Sequence, residues 1–305
     1  MTVEEIGRRI DSLDLWEAVY PYHWAVKPHG TVLPYFFAAL KGDRPEVKCR
    51  LLLLEGWQTF HDFVRTGADH DYGWYSSPIE FRHYELVFLS DGSCVLFRHD
   101  PGYVPMPADE RGRALSERML WEVFGVMMRI ETDRKLPLRY AGEKALFARV
   151  EDRDGNWIDE PLQIPDPRPH TETITFPKDD MKKAKDIPFA REESVEFDFR
   201  IVPGLMTKEA RPRYAYVLGG VDGASGERVF WNRVSIDPDS GLRGLWESMP
   251  RRVLANIIAK GRVPGEIKVV SGRVFRLMRP LCMDLPFKLS LHDRLPRLEA
   301  AFANP

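Results

Sequence analysis

The sequence predicts an α+β protein built from two domains. Six prolines between residues 161 and 188 interrupt any helix and remove hydrogen-bond donors from any strand, which is typical of a connection. Helical and strand-like patterns mix before it, and an ordered series of three strands followed by alternating helices and strands comes after it. We therefore expect an N-terminal α+β domain with antiparallel strands over residues 1–160, a proline-rich connection over 161–190, and a C-terminal domain with a mixed sheet over 191–305.

Composition and charge exclude several classes of protein. The 305 residues carry 44 Lys and Arg against 46 Asp and Glu, a net charge of -2, so no strong basic field drives indiscriminate binding to nucleic acid. No run of about 20 apolar residues is present, which argues against a membrane span. The first residues are charged where a secretory signal needs apolar ones, and the three cysteines are odd in number and widely spaced. We expect a cytoplasmic protein without a disulfide framework.

Two helices and a strand-like stretch are predicted at the start of the N-terminal domain. Apolar residues at helical spacing predict a first helix over residues 6–20. Residues 32–54 are strand-like and end in a short buried run of leucines. A short helix is predicted over 57–64, with Trp57, Phe60 and Val64 on one face.

A hairpin, a long helix and a second hairpin are predicted next. Asp91 and Gly92 stand between two apolar runs, which is the strongest short turn signal and predicts a hairpin over 84–97. The clearest helical periodicity follows over 109–130, and Asp109 at its start favours the positive end of the helix dipole. Strand-like runs on both sides of residues 154–155, again Asp-Gly, predict the second hairpin.

The C-terminal domain has the predicted order βββαβαβα. Residues 195–202 alternate, with Val195, Phe197, Phe199 and Ile201 on one face and Glu196, Asp198 and Arg200 on the other. Two further strands are joined by a turn at residues 222–226. The remaining elements are a helix over 242–260 that contains Pro250, a strand over 267–270, a helix over 273–283, a strand over 287–291 and a helix over 294–302.

This order resembles the ribonuclease H-like fold of retroviral integrases and transposases. Residues 214–230 are similar to the second and third strands of that fold, where an Asp followed by Ser-Gly makes the turn, here Asp222 to Gly226. The whole chain also resembles an uncharacterised bacterial two-domain family, and residues 54–64 and 121–131 carry that likeness in the first half. The second resemblance implies no activity.

The first resemblance implies where a nuclease site would lie. Two-metal chemistry needs carboxylates that converge on ions roughly 4 Å apart. In the fold they come from the first strand, the end of the fourth strand and a late helix, which here are Asp198, Ser271 and Glu299. Ser271 is neutral and a poor ligand for a hard cation. Asp198 and Glu299 remain the candidate catalytic residues, and we expect the domain to have lost its acidic site.

A histidine and carboxylate group in the first half is the alternative centre for chemistry. Six of the eight histidines lie before residue 100, and several adjoin acids in the sequence. Examples are His61, which precedes Asp62, and His70. Imidazole and carboxylate together suit an open Zn or Fe site, so a metal hydrolase is one hypothesis, with these three as its ligands. No HExxH, HxH or CxxC spacing occurs. The competing interpretation is a set of surface or capping histidines.

Two surfaces are candidates for binding. Residues 71–78 lack aliphatic periodicity and read as a loop, so Trp74 and Tyr75 are candidates for rings that stack on bases, sugars or a partner's side chains. Arg273, Arg276 and Arg279 recur every three positions on a predicted helix, a spacing that suits phosphate contacts. The alternatives are that the rings anchor the loop to its own domain and that the arginines form a solvated face.

These observations predict a non-catalytic binding or scaffolding protein with a nucleic-acid or protein partner, no cofactor and no membrane association. The alternative is a metal-dependent nuclease, phosphodiesterase or other hydrolase that uses a divalent metal. The sequence does not determine the oligomeric state.

Overall fold

A computed structural model describes residues 2–20, 22–42, 44–67, 81–142, 144–167 and 174–303. The fold is α+β, and the chain divides into two compact units. The described residues up to 167 form the N-terminal unit, and those from 174 onward form the C-terminal unit. No helix within the described residues has both the length and the apolar character needed to cross a membrane.

The N-terminal unit is built on an eight-stranded sheet of order β6-β5-β4-β3-β2-β1-β7-β8. All neighbours are antiparallel except β1 and β7, which are parallel. The strands are β1 (His23–Lys27), β2 (Tyr35–Lys41), β3 (Val47–Glu55), β4 (His83–Leu89), β5 (Cys94–His99), β6 (Met106–Pro107), β7 (Ala145–Glu151) and β8 (Trp157–Gln163). The helices are α1 (Val3–Ser12), α2 (Trp16–Val19), α3 (Gly56–Gly67), α4 (Glu110–Thr132) and α5 (Leu136–Tyr140).

Both faces of this sheet carry buried side chains. Helices α1 and α4 belong to the larger core, which includes Trp24, Phe37 and Met127. The opposite face carries a smaller core together with Phe60 and Phe63 of α3. A buried polar group can therefore lie on either face of the strands, and the second face bears the histidines described below.

Most of the predicted elements of this unit are present. The two-residue strand β6 and helix α5 were not predicted, and three further differences occur. The predicted first helix is two helices, because Asp14 has a positive φ of 48° that ends the helical backbone between them. Strand β1 was not predicted. On α3 the buried apolar side chains are Phe60 and Phe63, whereas Val64 of the predicted face is exposed.

The C-terminal unit holds a five-stranded sheet of order β11-β10-β9-β12-β13. Strands β9, β10 and β11 are antiparallel, and β12 and β13 continue the sheet in parallel with β9. The strands are β9 (Phe189–Met206), β10 (Tyr214–Asp222), β11 (Arg228–Ser235), β12 (Val263–Val269) and β13 (Lys288–Leu291). The helices are α6 (Lys178–Asp186), α7 (Gly241–Lys260), α8 (Gly272–Asp284) and α9 (Pro296–Ala303). From β9 onward the order is the predicted βββαβαβα.

The structure differs from the predicted proline-rich connection over 161–190 at both of its ends. Strand β8 continues to Gln163, and Pro161 pairs with Phe147 there. A proline fits because β8 is an edge strand, where a missing N–H breaks no ladder. Within the predicted connection, the charged residues 178–186 form the helix α6, and Ala184 of this helix is buried.

Candidate functional site

Asp198 lies near the middle of β9 and is 4% exposed. One of its carboxylate oxygens, Oδ1, accepts a hydrogen bond from the backbone N–H of Phe199 at 2.8 Å. The other, Oδ2, lies 2.6 Å from Nε of Arg200, which also lies on this strand. The carboxylate is thus held by a backbone donor and a guanidinium group.

Glu299 lies on α9 and also faces guanidinium groups. Its Oε2 accepts a hydrogen bond from Arg294 at 2.9 Å. This hydrogen bond lowers the pKa of Glu299, and the positive charge of Arg200 acts in the same direction. The guanidinium of Arg200 also lies 5.2 Å from the centre of the Phe302 ring on α9, a cation–π distance. The guanidinium of Arg200, on the strand that carries Asp198, therefore also contacts the helix that carries Glu299.

Ser271 follows β12, at the position where the resemblance implies a third carboxylate. Its side-chain oxygen accepts the backbone N–H of Val274 at 3.3 Å, so Ser271 is the N-cap of α8. Within the described residues, Asp198 and Glu299 belong to no group of three side chains that could hold one ion. In the structure, Ser271 caps a helix, whereas Asp198 and Glu299 each pair with an arginine.

Glu196 is a buried carboxylate that the sequence analysis placed on the outer face of β9. It is 6% exposed, and its Oε2 accepts the backbone N–H of Leu298 at 2.9 Å in the first turn of α9. This face is covered because Leu298 of α9 and Leu295, just before that helix, form a buried cluster with Val221 of β10. The alternation in the sequence shows that β9 has two faces. That the second face is also buried depends on its contact with α9, which is distant in the sequence.

The three arginines of α8 do not form one equivalent row. The guanidinium of Arg273 stacks on the Trp246 ring of α7 at 4.4 Å and is half-buried. Arg276 and Arg279 are exposed and make no hydrogen bond or ion pair to any described residue. Two of the three arginines are therefore exposed to solvent, and the third packs within the unit.

The remaining predicted residues fall in two places. Trp74, Tyr75 and His70 lie outside the described residues. His61 and Asp62 lie on α3, where the Asp62 carboxylate accepts a hydrogen bond from the Gln58 amide at 3.3 Å. They belong to no three-ligand group within the part of the chain that the structure describes.

A different group of metal-ligating side chains comes together on β4 and β5. His83 and Glu85 lie two positions apart on β4 and so point to the same face of the sheet. His99 on β5 pairs directly with His83 across the ladder. Their possible ligand atoms all lie within 4.8 Å of one another, and their exposures are 4%, 0% and 1%. We call these three residues the HEH cluster.

Charged and aromatic contacts hold the HEH cluster in place. The rings of His83 and His99 stack with centroids 4.3 Å apart. Nε2 of His99 lies 2.7 Å from Oε2 of Glu85, and the other oxygen of Glu85 lies 3.8 Å from Nε of Arg50 on β3. Asp100, which follows β5, is paired with Arg98 at 2.8 Å.

Burial determines the protonation of both histidines. It lowers the pKa of His83 to about 3, with a further lowering from the neighbouring His99. Burial and the positive charge of Arg50 lower the pKa of His99 to about 3. Both imidazoles are therefore neutral at neutral pH and can offer a nitrogen lone pair.

His83 and His99 are among the six histidines before residue 100, but their separation in the sequence did not show that they lie together. The signal was available in the predicted hairpin over 84–97. Its turn at Asp91-Gly92 nearly fixes which residues face each other, and extending the ladder by a few positions brings His83 opposite His99. The His-x-Glu spacing then adds Glu85 to the same face.

Comparison with family models finds one match. Residues 180–304 match a domain of unknown function, DUF6930. This region covers α6 to α9, hence nearly all of the C-terminal unit. Neither the curated proteins nor the solved structures include a significant match.

Proposed function

We propose that the chain is a non-catalytic binding protein, with a C-terminal unit of ribonuclease H-like type that uses its acidic positions for internal ion pairs. The topology supports the assignment of fold type, because the first strand of βββαβαβα lies in the middle of the sheet and the two last strands join it in parallel. Three free cysteines and a net charge of -2 support a cytoplasmic setting, and we place the chain in a bacterium on the family likeness.

The pairing of Asp198 with Arg200 carries this proposal. A divalent ion in that place would need several carboxylates with their charges available. Arg200 instead supplies a positive charge 2.6 Å from Asp198, and Arg294 does the same for Glu299 at 2.9 Å. Both carboxylates are thus already paired, and neither belongs to a group of three possible ligands among the described residues, so this place lacks the ligand set that a divalent ion needs.

We expect no metal-dependent cleavage of nucleic acid. Labelled single- and double-stranded DNA and RNA, incubated with the full chain and Mg²⁺ or Mn²⁺, should be cut no faster than with Asp198→Asn. The control variant is Asp239→Asn, an exposed aspartate in the same unit. Cleavage that persists in the control variant and is lost in Asp198→Asn would establish a nuclease and end the non-catalytic proposal.

The binding surface that we propose is the exposed side of α8. Arg276 and Arg279 lie three positions apart, which places them on one side of the helix. Guanidinium groups bind phosphate oxygens in bidentate fashion, so nucleic acid is the partner that this pair fits best. A protein partner with acidic residues is the alternative.

Reversal of the two charges should weaken binding to nucleic acid. In the double variant Arg276→Glu/Arg279→Glu we expect an affinity at least tenfold lower at low salt. The slope of log K against log salt should fall by about two, because two phosphate contacts are lost. The matched control is Arg191→Glu/Arg233→Glu, which changes the charge equally at two other exposed positions of the same unit. An equal loss in both double variants, or in neither, would remove α8 as the contact surface; binding only to acidic proteins would favour the alternative.

A further inference from the structure

The three side chains of the HEH cluster have the composition of a transition-metal site. Two imidazoles and one carboxylate are a common set for Zn²⁺ and for non-haem Fe²⁺. All three groups are almost fully buried, and they lie on two paired strands in place of apolar residues. We propose that His83, Glu85 and His99 bind one such ion, as a structural centre of the N-terminal unit.

The strands preorganise the three ligands. His83 and His99 are opposite each other in the ladder, and Glu85 lies two positions from His83 on the same face. Strand positions of this kind fix the directions of the Cβ atoms before any ion binds. The possible ligand atoms lie within 4.8 Å of one another, and to bind one ion the stacked rings of His83 and His99 must rotate out of their parallel arrangement, since an imidazole lone pair lies in the plane of its ring.

Neighbouring groups orient two of the three ligands. Nδ1 of His83 lies 3.4 Å from the carbonyl oxygen of Phe81, an arrangement in which Nδ1 carries the proton and Nε2 offers its lone pair. Oε1 of Glu85 lies near Arg50, whereas Oε2 faces His99. Glu85 can therefore bind an ion through Oε2 while Arg50 holds its other oxygen.

The ion would take the place of a proton. Nε2 of His99 and Oε2 of Glu85 lie 2.7 Å apart, which is the distance of two groups that share a proton. Two ligands of a tetrahedral zinc ion are about 3.4 Å apart, so these atoms need to separate by less than about 1 Å. The neutral imidazole of His99 then changes tautomer, so that its one N–H proton is carried by Nδ1, and the lone pair of Nε2 binds the ion.

Metal analysis of the purified full chain tests the proposal. After removal of any histidine tag and treatment with a chelator, titration with Zn²⁺ should show one ion per chain. At a zinc concentration about 100 times Kd, the melting temperature of the N-terminal unit should rise by roughly 5–10 °C. Isolation under anaerobic conditions, with elemental analysis, distinguishes Fe²⁺ from Zn²⁺ as the ion bound in the cell.

Single substitutions locate the ion. Glu85→Gln and His99→Gln should each lower zinc affinity at least tenfold and abolish the rise in melting temperature. His61→Gln is the matched control, a histidine of the same unit outside the cluster. If His61→Gln abolishes binding and His99→Gln does not, the ion lies at the group first predicted from the sequence and the HEH assignment is wrong.

X-ray absorption on the unmodified protein tests the site without any substitution, and so applies even if these variants fail to fold. The zinc-loaded chain should show two imidazole ligands, additional oxygen ligands and no sulfur ligand. Absence of zinc binding, or a spectrum without imidazole ligands, would overturn the site.

Discussion

Replacing Glu85 by alanine in the metal-free protein is expected to lower the free energy of unfolding of the N-terminal unit by about 3–5 kcal/mol. Glu85 and Arg50 are both almost fully buried, with exposures of 0% and 3%. The carboxylate faces Arg50 at 3.8 Å and His99 at 2.7 Å. Its removal leaves a buried guanidinium without that counter-charge, which costs much more than the pair itself contributes. Urea denaturation followed by tryptophan fluorescence measures the effect.

Two further variants separate charge from volume. Glu55→Ala removes a glutamate at the exposed end of β3 and should change stability by less than about 0.5 kcal/mol. The double variant Arg50→Met/Glu85→Leu removes both charges and keeps most of the volume, so it should recover most of the lost stability. A double variant as unstable as Glu85→Ala would mean that packing, not the uncompensated charge, dominates.

The C-terminal unit could be predicted from the sequence because its signals are local. The alternation of Val195, Phe197, Phe199 and Ile201 gives the inner face of β9, and all four are buried. The turn that follows β10 is held by Asp222, which accepts backbone N–H groups of Ala224 and Ser225. Each element has its own period or turn residues, so no long-range contact was needed to find the order.

The N-terminal unit was less predictable because its deviations depend on contacts distant in sequence. Strand β1 has only five residues, and it is a strand because it pairs with β2 on one side and with β7, more than 100 residues away, on the other. The end of α1 depends on a single residue, Asp14, with a positive φ. Propensity alone does not report either feature.

The candidate sites were also predictable only in part, because local features were found and contacts between residues were not. The sequence identified Asp198 and Glu299 as carboxylates of interest, but the spacing did not show that Arg200 and Arg294 hold them. It identified a concentration of histidines before residue 100, but the choice of His61 and Asp62 relied on adjacency in sequence. Adjacent residues on a helix such as α3 do not face each other, whereas residues opposite each other in a strand ladder meet.

Acidification should destabilise the N-terminal unit of the metal-free protein between pH 6.5 and about pH 3. Burial lowers the pKa values of His83 and His99 to about 3 in the folded state, against about 6.5 for an unfolded chain. The unfolded state therefore binds more protons in this range, and stability falls as pH falls. At pH 5 the loss is about 2 kcal/mol for each histidine. Glu85 and Asp100 oppose the lowering, and Arg50 adds to it at His99.

The urea midpoint at pH 7 and pH 5 measures this effect. The control compares a variant of a histidine inside the HEH cluster with a variant of a histidine outside it. His99→Gln carries no titratable group at this position, so it should lose the contribution of His99, about 2 kcal/mol between pH 7 and pH 5, and keep those of His83 and of His23, whose pKa burial also lowers. His61→Gln changes a histidine of the same unit outside the cluster and should keep most of that dependence. A wild-type midpoint that is the same at the two pH values would mean that the buried imidazoles accept protons in the folded state. Their neutral form, on which the coordination chemistry of the HEH cluster depends, would then not be maintained by burial.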